Sequence, residues 1–82
     1  MGKVTLIVGP IVKVKGGYAY ERWESGNKER RWSFSYRDYE PARKDRRSLI
    51  RGAEKADSVR VRVCEDMDEF EAAIGERLKK AA

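Results

Sequence analysis

The sequence predicts an α+β domain in which a three-stranded antiparallel meander is followed by α-β-α, giving a four-stranded sheet with two helices packed on one face. Apolar residues alternate with other residues near the start, and again in residues 58–63, as is typical of strands. After Cys64 the apolar residues recur at helical spacing. At 82 residues, the chain suits a single compact domain over residues 1–82.

The first strand is predicted over residues 4–8. Gly9-Pro10 then reads as a turn, because proline has no amide hydrogen to donate to a strand ladder. A second strand follows over residues 12–23 and bends at Gly16-Gly17. Its tyrosines, Tyr18 and Tyr20, have the same parity as Val12, which predicts that they face the core.

The third strand is predicted over residues 29–36. Trp32, Phe34 and Tyr36 share one parity, and a three-residue loop at 25–27 would place the first two beside the tyrosines of the second strand. A slip of one residue would move a row of aromatic side chains to the other side of the sheet. In the register set by this three-residue loop, most of the aromatic side chains are predicted to lie in the core.

Glu40-Pro41 is predicted to end the third strand and begin the first helix, because proline is favoured at the first helical position. The helix is indicated by residues that recur at spacings of four and three, namely Ala42, Arg46, Leu49, Ala53 and Ala56. Cations near a helix N-terminus oppose the helix dipole, so a later start at Asp45 is the alternative.

The fourth strand is predicted from Val59, Val61 and Val63, which point inward while Arg60 and Arg62 point outward. A right-handed crossover would place this strand parallel to the first or the third. In the last helix, Asp66 and Glu69 form a capping-box pattern. Its expected buried stripe is Met67, Phe70, Ile74 and Leu78.

Charge is unevenly distributed along the chain, whose net charge is +5. Residues 28–63 contain twelve basic and six acidic side chains, whereas residues 64–82 contain three and six. A positive segment of this size suits nucleic acid, a phosphate-bearing ligand or an acidic protein surface.

Several chemistries are disfavoured by the composition. The chain has no histidine and one cysteine, Cys64, which argues against histidine-dependent nucleophiles, most zinc sites and an intrachain disulfide. No apolar run approaches membrane-spanning length. We therefore expect a cytoplasmic protein that is not an enzyme and has no catalytic residues, metal site, cofactor or membrane partner.

With both helices on one face, the other face of the sheet would be open and basic. Cations there would contact phosphates and a tryptophan would stack on bases. The expected binding residues on this surface are Lys13, Lys15, Trp23, Arg31, Arg37, Arg60 and Arg62. Ordinary solvation of one sheet face is the alternative interpretation.

The first helix adds a second basic cluster. The run from residue 43 to 51 contains five cations, of which Arg43, Lys44, Arg46 and Arg47 are expected to extend the binding surface. A solvated helix surface explains the same run equally well.

Nucleic acid, either DNA or RNA, is the first partner hypothesis. The meander followed by a helix resembles in outline the three-stranded DNA-reading domains that lay a sheet in the major groove, without sharing their motifs. The alternative is a protein-interaction module. Such a module could be a phage-type inhibitor or accessory protein, of the anti-defence or anti-CRISPR kind, that binds a host complex through an acidic or nucleic-acid-binding partner.

The chain is expected to be a monomer or a homodimer. A dimer formed through sheet edges or faces would bury Trp23 and Ile7.

Overall fold

The computed structural model describes residues 4–27 and 29–81, with side chains as far as Lys79. The elements are β1 (Val4–Val14), β2 (Gly17–Glu24), β3 (Arg31–Trp32), α1 (Tyr39–Glu54), β4 (Val59–Val63) and α2 (Met67–Ala81). The four strands form one sheet in the order β3-β2-β1-β4. β1, β2 and β3 form an antiparallel meander, and β4 pairs parallel to β1. The α+β class, the meander and the parallel crossover are confirmed, and the sheet is mixed.

The predicted turn at Gly9-Pro10 is wrong, because β1 continues through it. The pairing of β1 with β2 shifts between Val8 and Ile11, so Pro10 lies in an irregularity where no ladder donor is required. Gly9 has a packing role, since a Cβ atom there would lie 3.1 Å from the Phe70 ring. The chain reverses at residues 15–16 instead, where Gly16 has a positive φ of 87°.

The two helices lie on opposite faces of the sheet, so the prediction of a single covered face is wrong. Leu6 and Val8 belong to a core cluster against which Leu49 of α1 packs. Ile7, between them in sequence, packs instead with Phe70 of α2. Successive side chains of a strand point to opposite faces. β1 is apolar on both parities, and a central strand covered on both faces has this composition.

The register of the third strand is also wrong by one residue. Trp32 pairs with Glu21 rather than with Tyr20, and the bridge farther along joins Tyr36 to Tyr18. β3 contains only two residues. Trp32 and Phe34 are therefore 53% and 82% exposed and do not join the core.

Both helices begin near their predicted starts. α1 begins at Tyr39, so the later start at Asp45 is wrong. At the start of α2, the Glu69 amide donates to Asp66 Oδ1 at 2.7 Å, as the capping pattern predicts. Phe70 is buried as expected, but Leu78, near the C-terminal end of α2, is 46% exposed.

Candidate nucleic-acid interface

The open basic sheet face does not exist, because α2 covers that side. Arg60 and Arg62 pair with Thr5 and Ile7 of β1 and so lie on the face of α2. Both arginines are exposed at the sheet edge, and Arg62 Nη1 lies 3.6 Å from Glu76 Oε2 of α2. They are therefore separated by the sheet from the basic residues of α1.

Trp23 is a core residue and cannot stack on a ligand. It is only 4% exposed and packs in the cluster that contains Ile7 and Phe70. Its indole Nε1 donates to the Asn27 carbonyl oxygen at 3.0 Å, which satisfies the ring's single donor. The prediction that Trp23 lies on an open face is wrong for the same reason as the single-face prediction.

Three of the predicted cations lie together at the closed end of the β1–β2 hairpin. Lys13 pairs with Tyr18, Lys15 belongs to the turn, and Arg37 follows the residue that bridges Tyr18. All three cations are exposed. Arg31 is exposed on β3, where its partner is Arg22 of β2. The three hairpin cations lie near the start of α1, since the ring of Tyr18 on the hairpin is in edge contact with the ring of Tyr39, at 5.6 Å between centroids.

The outer face of α1 carries a cluster of exposed cations. Five exposed cations lie on this helix and its C-cap: Arg43, Lys44, Arg47, Arg51 and Lys55. Arg43, Arg47 and Arg51 are four residues apart, which aligns them on one stripe with about 6 Å between successive positions. Arg43 is 3.4 Å from Glu40. Arg51 and Lys55 were not among the expected binding residues, although the four-residue spacing after Arg47 points to both.

Arg46 is the exception within this basic run. Its Nε donates to the Gly9 carbonyl oxygen at 2.8 Å and its Nη2 donates to the Cys64 carbonyl oxygen at 2.9 Å. Those carbonyls lie at the irregularity of β1 and just after β4. Arg46 therefore ties α1 to two strands, and its guanidinium is not free to bind a ligand as expected.

A groove lies on each side of α1. Toward β4, a groove of about 360 Å³ is lined by Arg43, Arg46, Arg47, Ile50, Arg51, Glu54, Val63 and Glu65. Toward β3, a groove of about 450 Å³ is lined by Tyr20, Arg22, Trp32, Ser33, Phe34, Asp45, Ser48 and Leu49. The first groove is rich in arginine and the second combines aromatic rings with hydrogen-bonding groups. The second was not expected, because Trp32 and Phe34 were assigned to the core.

Two groups have shifted pKa values. Burial raises the pKa of the Tyr20 hydroxyl, and its hydrogen bond to Asp45 Oδ2 at 3.0 Å raises it further. Burial also raises the pKa of the Cys64 thiol, with the nearby Glu69 carboxylate adding to the shift. Tyr20 is thus a neutral donor that orients Asp45. The upward shift at Cys64 outweighs the opposing effect of Arg46 and Arg62, so this thiol is neutral at neutral pH and poorly reactive.

Among residues 4–27 and 29–81, no helix is long and apolar enough to cross a membrane. The same residues contain no cluster of three or more potential metal ligands. No protein-family model, curated protein or solved structure matches the chain.

Proposed function

We propose that the protein is a non-enzymatic, cytoplasmic nucleic-acid-binding protein and that α1 provides the main contact surface. The observation that carries this proposal is the concentration of exposed cations on one helix face. Arg43, Arg47 and Arg51 also line the groove beside β4, so a phosphate there would meet several guanidinium groups together. Arginine binds phosphate through paired N–H donors, which adds geometry to charge.

The hairpin cations extend this surface, and those of β4 do not. Lys13, Lys15 and Arg37 lie near the N-terminal end of α1, as the Tyr18–Tyr39 contact indicates. A strand of nucleic acid that follows the α1 stripe would reach them next. Arg60 and Arg62 lie across the sheet and are outside this path.

A charge-matched pair of variants tests the proposal. Arg47→Gln with Arg51→Gln removes two charges from α1, and Arg60→Gln with Lys79→Gln removes two from exposed positions on β4 and α2. Binding of fluorescently labelled DNA and RNA oligonucleotides is followed by anisotropy at several salt concentrations. For four α1 contacts to a single strand, the slope of log K against log salt is about −2.8, and the α1 variant reduces its magnitude by about 1.4.

The control variant is expected to bind within about twofold of the wild type, since charges beyond a Debye length are largely screened. Equal weakening by both variants would mean that net charge, rather than α1, drives binding. Absence of binding to every oligonucleotide at low salt would overturn the proposal.

A protein-interaction module is the second candidate function, and the exposure of Trp32 and Phe34 favours it. Tryptophan and arginine are enriched among residues that dominate protein interfaces, and Arg22 lines the same groove. A phage-type inhibitor of a host complex would fit this surface. If no oligonucleotide binds, pull-down from the native host should yield a partner that is lost in the Trp32→Ala and Phe34→Ala variants. A dimer that buries Trp23 and Ile7 is no longer expected, because α2 already covers both.

A further inference from the structure

The groove between β3 and α1 has two exposed aromatic residues in its wall. Phe34 is 82% exposed and Trp32 is 53% exposed, and both line the groove. Hydrophobic burial would favour covering such rings. A ligand that stacks on Phe34 would bury this ring.

The opposite wall of the groove is polar and comes from α1. Asp45 and Ser48 line it, one helical turn apart. The Tyr20 hydroxyl donates to Asp45 Oδ2 at 3.0 Å, which fixes the carboxylate, whereas Oδ1 has no hydrogen-bond partner among the described residues. The site therefore offers a positioned acceptor opposite the aromatic rings.

The charges around the groove favour an anionic backbone outside it. Arg22 lines the groove and its strand partner Arg31 is exposed beside it. On α1, Lys44 precedes Asp45 and shares a helix stripe with Ser48. At about 450 Å³, the space lies within the range of small-molecule pockets, about 300–1,000 Å³. An unpaired base with its phosphates on these cations matches this combination of ring faces, acceptor and positive rim.

We propose that the β3–α1 groove binds an unpaired base of a single-stranded nucleic acid, with guanine preferred. This rests on the proposed function and deepens it by naming the strandedness and the base. The base stacks on Phe34, because base–aromatic stacking is tolerant of sequence. The Asp45 carboxylate accepts hydrogen bonds from the adjacent N1–H and N2–H donors of guanine, a pairing that uracil and thymine cannot offer.

The test compares labelled RNA strands of about ten uridines, with and without one central guanosine, and a duplex of the same length. The wild type is expected to prefer the guanosine strand by about five- to 150-fold over the all-uridine strand, the discrimination of a good bidentate contact. Asp45→Asn should abolish this preference while retaining the Tyr20 bond, because the amide oxygen still accepts it. Phe34→Ser should weaken single-strand binding by about five- to 150-fold.

Three results separate this inference from the proposed function. If the duplex binds as tightly as the single strands and Phe34→Ser binds as the wild type does, the groove is not a base site. In that case α1 remains the interface if Arg47→Gln with Arg51→Gln weakens binding of both ligands. If Asp45→Asn keeps the guanine preference, Asp45 does not read the base and the inference fails. If nothing binds, both proposals fail. Thermal unfolding of Phe34→Ser controls for folding and is expected to match the wild type, since Phe34 contributes little to the core.

Discussion

Replacing Gly17 by alanine should destabilise the protein more than the same change at the neighbouring Gly16. Both glycines lie at the β1–β2 reversal and both have positive φ angles, 157° and 87° respectively. They differ in their surroundings. A Cβ atom on Gly17 would collide with the backbone carbonyl of Tyr36, whereas one on Gly16 would meet nothing within 4 Å.

The expected difference in the free energy of unfolding follows from the hydrogen bonds that the added Cβ atom would displace. The collision displaces the Tyr36 carbonyl, and with it two backbone hydrogen bonds, from Tyr18 N to Tyr36 O at 2.7 Å and from Tyr36 N to Tyr18 O at 2.8 Å. Each hydrogen bond contributes about 0.5–1.5 kcal/mol. A positive φ costs an alanine about 1–2 kcal/mol at either position. Gly17→Ala should therefore lose about 2 kcal/mol more than Gly16→Ala, and unfolded-state entropy cancels in this comparison.

Urea denaturation followed by tryptophan fluorescence measures both free energies of unfolding. A difference of about 2 kcal/mol is a large share of the roughly 4–12 kcal/mol expected for a domain of this size. The displaced segment also carries Phe34, so Gly17→Ala should weaken single-strand binding while Gly16→Ala does not. Equal stability of the two variants would refute the close packing of residues 36–37 on the hairpin.

Three further predictions concern Arg46 and Cys64, which are joined by a hydrogen bond. Arg46→Met removes charged donors from the Gly9 and Cys64 carbonyls and should lower the free energy of unfolding by about 2–4 kcal/mol in urea denaturation. Arg47→Met, at the exposed neighbouring position, should change the free energy of unfolding by less than about 0.5 kcal/mol. An equal loss in both variants would contradict the stabilising role of the two Arg46 hydrogen bonds. The raised pKa of the buried Cys64 thiol predicts slow alkylation by iodoacetamide in native protein at neutral pH and rapid alkylation in denaturant. Because the folded-state pKa is the higher one, stability should be full below the ordinary thiol pKa of about 8.5 and fall as pH rises above it, and Cys64→Ala should lose this dependence.

Local patterns predicted the parts of the fold that depend on neighbouring residues. Asp66 and Glu69 marked the start of α2, and the alternation of Val59, Val61 and Val63 marked β4. The basic face of α1 was visible too, since the spacing of Arg43 and Arg47 places them on one side of any helix. These features are set within a few residues, where propensity and periodicity act directly.

Placement of the helices on the sheet was not recoverable from such patterns. β1 is apolar on both parities, and alternation alone did not show that a second helix would cover Ile7. The register of β3 was equally undetermined, because Trp32 and Phe34 fit either side of a short edge strand. Arg46 illustrates the same limit at the candidate site, since only the folded chain brings the Gly9 and Cys64 carbonyls to its guanidinium.

The sequence by itself thus determined the order of the elements and the positive charge of residues 28–63. Only the tertiary structure decided which cations are free and which aromatic rings are exposed. The physical reason is that these properties depend on contacts between residues distant in sequence, such as Arg46 with Gly9 and Trp23 with Phe70. A one-residue shift in strand pairing exchanges buried and exposed rings without altering any local preference.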